Sequence, residues 1–349
     1  MLKILAPEQR INAFAELGKL LQTPNQDLTN LIENAKQYNA WFTPKNTAQA
    51  VKGIAKMLNK GDLEKWIFDN QIQDKCIDFS DLNTQYSIGL ILAGNIPMVG
   101  FHDIICVLAS GNKALIKLSS QDNQLIPYIL KLLVEIEPDF QNQIQYIEKL
   151  KDFDAVIATG SNNTSRYFEY YFNKVPNIIR KNRNSIAVLN GRETKKQLKA
   201  LGHDIFDYFG LGCRNVSKLY VPQGYNFNTF FEAIEEFKSI ADHHKYNNNY
   251  DYNKSIFLVN GDKHLDNGFL LLKQDERLAS PLAVLYYEEY ADINSIEQML
   301  TDQTGQLQCV ATEILLLKSE NIVDFGKTQQ PELWDYADGV NTMEFLSAL

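Results

Sequence analysis

Residues 87–120 read SIGLILAGNIPMVGFHDIICVLASGNKALIKLSS. A short apolar run of strand length stops at Gly94-Asn95-Ile96-Pro97, a helix-length stretch follows, and a second short run, KALIK, ends in the polar Leu118-Ser119-Ser120. The same rhythm continues through another helix, the region 144–150 and the run FDAVIATGS at 153–161. Short apolar runs that alternate with helices predict a parallel sheet in an α/β domain. Such a sheet binds ligands beyond the carboxyl ends of its strands. Three loops stand at such ends: Gly94 to Pro97, Lys117 to Ser120, and Thr159-Gly160-Ser161.

Residues 1–75 carry apolar positions at three- and four-residue intervals, as in LTNLIENAKQYNAWF (28–42) and TAQAVKGIAKMLNK (47–60), and predict helices. Asn46 and Thr47 are the expected caps of the second. Beyond 161 a second α/β set follows: NSIAVLNG (184–191), a helix near 194–208, SKLYVPQ (217–223), a helix near 226–243, then the runs SIFLVNG, LAVLYY and QCVATEILLL. The Asn/Tyr-rich tract HHKYNNNYDYNK (243–254) is expected to form a surface loop.

At 349 residues the chain suits about two domains. Its 45% hydrophobic and 22% charged residues are ordinary globular composition. A net charge of −9 argues against a nucleic-acid partner, because phosphate binding needs clustered Lys and Arg. No apolar run approaches the ~20 residues of a membrane span. Glu8 and Arg10 come too early for a secretory signal, so a cytoplasmic location is expected.

The four cysteines, Cys76, Cys106, Cys213 and Cys309, lie far apart and form no CxxC pair, which excludes a zinc ribbon and a disulfide framework. Cys106 and Cys309 sit in apolar runs and read as core residues. Cys213 sits instead in Gly210-Leu211-Gly212-Cys213-Arg214-Asn215. Two glycines let the backbone turn tightly, and the cation of Arg214 favours a thiolate. An exposed thiol there is a nucleophile and a buried one is packing; spacing alone leaves both readings open. A GxGxxG reading fails, because Asn215 occupies the last glycine position. No metal site is expected: the adjacent His243 and His244 would point to different faces of a helix. His102 is expected to be satisfied by backbone. The aromatic stripe Tyr167, Phe168, Tyr170, Tyr171 and Phe172 is expected in the core.

The segments LAGNIPMVG, ALIKLSSQDN, VIATGSNN and GLGCRNVSKLYVP resemble, in order and spacing, those of the aldehyde dehydrogenase superfamily. ERLASPLAV and QTGQLQCVATEI resemble that family's later segments, so the likeness covers about 86–330. Asn182 to Ser185 and the ending ELWDYADGVNTMEF look like its acyl-CoA reductase (LuxC-like) branch. The resemblance implies a Rossmann-type cofactor domain with the N-terminal helices (1–185), a second α/β catalytic domain (186–326), and a segment 327–349 returning toward the first.

The resemblance also implies roles. Cys213 becomes the nucleophile on an acyl carbonyl, and Asn95 donates to the oxyanion. Lys117, Ser119 and Ser120 border the cofactor ribose, and Gly160 and Ser161 its pyrophosphate at a helix N-terminus. Where the family carries an acidic residue after its lysine, this chain has Ser120; NADPH is therefore the expected cofactor, with NADH as the alternative. Where hydrolytic members carry a water-activating glutamate, this chain has Arg180. Reduction of an acyl-CoA or carrier-bound thioester to an aldehyde is the expected reaction, and a homodimer the expected assembly. Two alternatives stand beside it: a thiol acyltransferase or thioesterase without hydride transfer, and a silent nucleotide-binding homologue.

Overall fold

The structure, a computed structural model, describes residues 5–69, 85–160, 162–314 and 321–349. Cys76, Ser161 and the end of the run QCVATEILLL lie outside them. The chain divides into two compact units, Met1–Lys181 with Pro331–Leu349, and Asn182–Gln330.

The first unit opens with four helices, α1 (Pro7–Gln22), α2 (Gln26–Asn34), α3 (Pro44–Met57) and α4 (Lys60–Asp69). The cap expected at Asn46 and Thr47 lies earlier: Thr43 accepts the Asn46 N–H and Pro44 takes the first helical position, where its missing N–H costs nothing. Then come β1 (Ser87–Ile91), α5 (Phe101–Ala109), β2 (Lys113–Lys117), α6 (Leu125–Ile136), β3 (Ile144–Tyr146), β4 (Ala155–Thr159), α7 (Asn162–Phe172) and β5 (Asn177–Arg180). The five strands are parallel in the order β3-β2-β1-β4-β5. From β1 the chain winds outward one way to β2 and β3, then the other way to β4 and β5. The loops after β1 and β4 therefore border the switch point, where such sheets leave a crevice.

The second unit contains β6 (Asn184–Val188), α8 (Lys195–Phe206), β7 (Val216–Pro222), α9 (Asn228–Ile234), α10 (His244–Asn260), β8 (Leu265–Asp266), β9 (Leu271–Gln274), β10 (Val284–Tyr290), α11 (Ile293–Gln303), β11 (Leu307–Thr312) and β12 (Ile322–Val323). Its sheet runs β12-β11-β6-β7-β10-β9-β8 and is parallel except for β8 against β9. Strand β6 lies whole in this unit, its ladder made with β7 and β11. Alternation along β6 covers both faces: Ala187 and Leu189 pack with Leu201 of α8 and Phe230 of α9, while Ile186 and Val188 pack with Ile296 and Leu300 of α11.

The tract expected as a surface loop is helix α10, which also absorbs the run SIFLVNG. The His243 ring caps it by accepting the Tyr246 N–H, and Gly261 ends it in the left-handed region. Tyr246, Tyr250, Asn253 and Phe257 recur at helical spacing and bury one face. The stripe is aromatic and amide rather than aliphatic, which hides it from composition.

The ending Pro331–Leu349, with α12 (Thr342–Ser347), belongs to the first unit. Trp66 donates to the Tyr336 hydroxyl at 2.8 Å, and His102 Nε2 meets the Leu333 carbonyl at 2.9 Å. No described helix is long and apolar enough to cross a membrane.

Candidate active site

Among the described cysteines Cys213 is exposed, while Cys106 and Cys309 are buried. Cys213 and Arg214 occupy the centre of a tight turn closed by the Asn215 N–H on the Gly212 carbonyl at 3.0 Å. Before it, Tyr208, Phe209 and Gly210 take three successive positive φ values, 55°, 61° and 77°. Gly adopts that region freely, whereas each non-glycine residue is strained by about 1–2 kcal/mol. The buried rings of Tyr208 and Phe209 help to offset that cost, the latter 4.3 Å from the His243 ring.

The side chain of Asn215, buried beside the thiol, holds the turn. Its Nδ2 donates to the carbonyls of Asp204 at 3.0 Å and Asp207 at 2.8 Å, and its Oδ1 accepts the Gly212 N–H at 2.9 Å. Ser185 Oγ donates to the Cys213 carbonyl at 2.9 Å, tying the turn to β6. Arg214, expected as the cation at the thiol, donates from Nε to the Thr328 carbonyl at 2.5 Å. Thr328 is gripped in turn by the buried Asp204, whose carboxylate accepts Thr328 N–H at 3.0 Å, Thr328 Oγ1 at 2.8 Å and Gly326 N–H at 2.6 Å. Burial pushes the Asp204 carboxyl up to about 6 against the pull of those three donors. Neither Asn215 nor Asp204 was legible as a site residue, because an Asn or Asp in a loop has many uses.

In the first unit, Asn95 is exposed on the loop after β1, Lys117 is exposed at the end of β2, and Ser120 is exposed on the loop after it. The two loops touch. A Cβ on Gly94 would lie 2.5 Å from Ser119 Oγ, so only glycine allows this approach. Gly160 follows β4 directly ahead of α7, half-buried. Between the ends of β2 and β3 lies an open cavity of about 430 Å³ lined by Ile116, Lys117, Leu118, Tyr146, Ile147 and Glu148. Tyr146 and Glu148 carry no sequence signal and were missed.

Two expectations change and one holds. Arg180 faces no open site: it is buried on β5, forks onto Asp103 at 2.6 and 3.1 Å, and donates to the Ala337 carbonyl at 2.6 Å and Thr342 Oγ1 at 2.9 Å. Burial works against its charge, but Asp103 beside it keeps the guanidinium firmly protonated. The stripe on α7 is not core, since Tyr167, Tyr170 and Tyr171 are exposed and only Phe168 and Phe172 pack, the latter on Phe153. His102 is half-buried on α5, its charge disfavoured by burial, and it is satisfied by backbone as expected, with the Leu333 carbonyl as its partner.

Solved structures share this architecture. Aldehyde dehydrogenase 21 from Physcomitrella patens, in complex with the product succinate, has a TM-score of 0.69 at 11% identity over 99% of this chain and 84% of that one. An indole-3-acetaldehyde dehydrogenase of P. syringae in complex with NAD+ has a TM-score of 0.62 at 14% identity over 91% and 76%. An aldehyde dehydrogenase of Bacillus cereus in its NAD+ complex has a TM-score of 0.60 at 13% identity over 92% and 77%. The fold is that of the aldehyde dehydrogenase superfamily. Within it, the sequence matches the acyl-CoA reductase (LuxC) family over residues 8–240, more than half of the chain, and the protein belongs to that family. No curated protein matches the chain. Family and fold together make it an oxidoreductase of acyl and aldehyde groups.

Proposed function

We propose that this protein reduces an acyl thioester, carried on coenzyme A or a carrier protein, to an aldehyde through a thioacyl intermediate on Cys213. The carrying observation is the exposed Cys213 at the centre of a turn held by Asn215, in a chain whose other described cysteines are buried. The Cys213 thiolate attacks the acyl carbon, and the donor thiolate leaves as the new thioester forms. Asn95 donates its amide to the developing oxyanion, an interaction worth ~3 kcal/mol in such sites.

A reduced nicotinamide, which Lys117, Ser119, Ser120 and Gly160 would hold, would supply the hydride that turns the thioacyl carbon on Cys213 into a hemithioacetal. Collapse of that adduct restores the Cys213 thiolate and releases the aldehyde, with one proton taken up overall by the departing donor thiol. The first unit suits a dinucleotide: its parallel sheet has a switch point between β1 and β4, and on the other side of β1 Lys117 lines the cavity between the ends of β2 and β3. Two of the similar structures hold NAD+. The proposed cofactor here is NADPH, because the exposed residue three positions after Lys117 is Ser120 and not an acidic side chain; Glu148 is the one acidic side chain in the lining of the cavity.

Reduction rather than hydrolysis is supported by the lack of a carboxylate at 180, where Arg180 turns into a buried pair with Asp103 and offers no base to a thioacyl group. A guanidinium with Nε, Nη1 and Nη2 all engaged cannot activate water, and general-base help worth ~10²–10⁴ in rate is missing there. The test is a single turnover with acyl-CoA. Without cofactor, mass spectrometry finds an acyl adduct on the Cys213 peptide that persists for minutes; NADPH then discharges it as aldehyde. An adduct on another cysteine, or free acid as the main product, overturns the reading.

A further inference from the structure

Asp122 has no role in the reading above, yet it is 2% exposed at the end of the loop that follows Lys117 and carries Ser119 and Ser120. Its own N–H closes a turn on the Ser119 carbonyl at 3.1 Å. Its carboxylate reaches the neighbouring loop, where Oδ2 accepts the Met98 N–H at 2.6 Å. Its Oδ1 is buried with no hydrogen-bond partner among the described residues. A carboxylate held so dry is costly, and burial pushes it up to about 6 although the Met98 N–H pulls the other way.

The receiving loop is the one that carries Asn95. Pro97 has no N–H, so the Met98 N–H is the donor by which the far end of Asn95-Ile96-Pro97-Met98 can be gripped. Met98 itself stands at φ 57°, a conformation that a side chain-bearing residue keeps only when its surroundings enforce it. The near end is fixed as well: Gly94 touches Ser119, and the Gly94 carbonyl accepts Asn39 Nδ2 at 3.2 Å. Asn95 is thus an exposed amide on a loop clamped at both ends by buried contacts.

We propose that Asp122 is the positioning residue for Asn95, its carboxylate holding the Met98 N–H so that the Asn95 amide is preset to meet an oxyanion. The inference rests on the role given to Asn95 above. Preorganisation of this kind acts on the acylation rate and not on ground-state binding.

The experiment is a double-mutant cycle on the full chain, read as the acylation of Cys213 by acyl-CoA. Asp122→Ala is expected to lower the limiting rate by about 10–10²-fold, with the half-saturating acyl-CoA concentration changed by less than about 2-fold. Asp122→Asn, which keeps an acceptor for the Met98 N–H, should recover most of the rate; this variant guards against a mere loss of folding. Asn95→Ala combined with Asp122→Ala should be no slower than Asn95→Ala alone, because Asp122 acts through Asn95. Full additivity of the two losses, or a loss confined to half-saturation, overturns the positioning role while leaving the reductase reading intact. Failure of the unaltered protein to acylate Cys213 overturns both.

Discussion

Asn215 donates to the Asp207 carbonyl at 2.8 Å and accepts the Gly212 N–H at 2.9 Å, so one amide spans the left-handed turn before Cys213 and the tight turn that contains it. Asn215→Ala leaves those backbone groups unpaired and should cost about 1–3 kcal/mol of stability, measured by urea unfolding. It should also change the rate of Cys213 alkylation by iodoacetamide and shift its pH profile, since the thiol loses its fixed setting. A stability loss with an unchanged alkylation profile would reduce Asn215 to an ordinary structural residue.

Ser120 is exposed on the loop that follows Lys117. Ser120→Glu adds a carboxylate there and should weaken NADPH binding by ~1–2 kcal/mol while sparing NADH. Fluorescence titration of both cofactors checks this; firm NADH preference in the unaltered protein would contradict the choice of NADPH.

Arg180 and Asp103 form a buried pair that also holds the Ala337 carbonyl and Thr342. Arg180→Leu strands the Asp103 carboxylate and should cost about 3–5 kcal/mol. Limited proteolysis should then cut the ending 331–349 more readily than in the unaltered protein. The ratio of acid to aldehyde in a single turnover should not change, because the residue touches no reacting group.

Asp204 is fully buried with its carboxyl raised from 3.8 to about 6. Between those values the folded chain keeps a proton that the unfolded chain has lost, so this group's stabilisation is complete below pH 3.8 and fades as pH rises through about 6. Asp204→Asn removes the titration. Comparing unfolding free energies from pH 4 to 7, the difference between the two proteins should move by roughly 2 kcal/mol in favour of the variant. A difference that stays flat would show that the three hydrogen bonds keep Asp204 ionised throughout.

Much of the first unit was legible because its signals are local. The runs around Leu90, Leu115 and Ile157 are continuous and end in turn residues, so strand–loop–helix order could be read directly. Helix α10 was not legible: Tyr246, Tyr250 and Asn253 form its buried face, and composition scores such residues as polar. Strand β5 was passed over for a similar reason, being four residues long with only Ile178 and Arg180 buried.

By itself the sequence determined the α/β class, the alternation that makes a parallel sheet, the strand-end position of Lys117 and the loop positions of Asn95 and Cys213, all of which depend on neighbours a few residues apart. Only the tertiary structure decided which loops meet. Asp122 finds the Met98 N–H across 24 residues, Asp204 finds Thr328 across 124, and Arg180 finds Thr342 across 162. The physical reason is that a buried polar group must be satisfied by whatever the fold brings against it. That partner is chosen by strand order and helix packing, which no local pattern encodes.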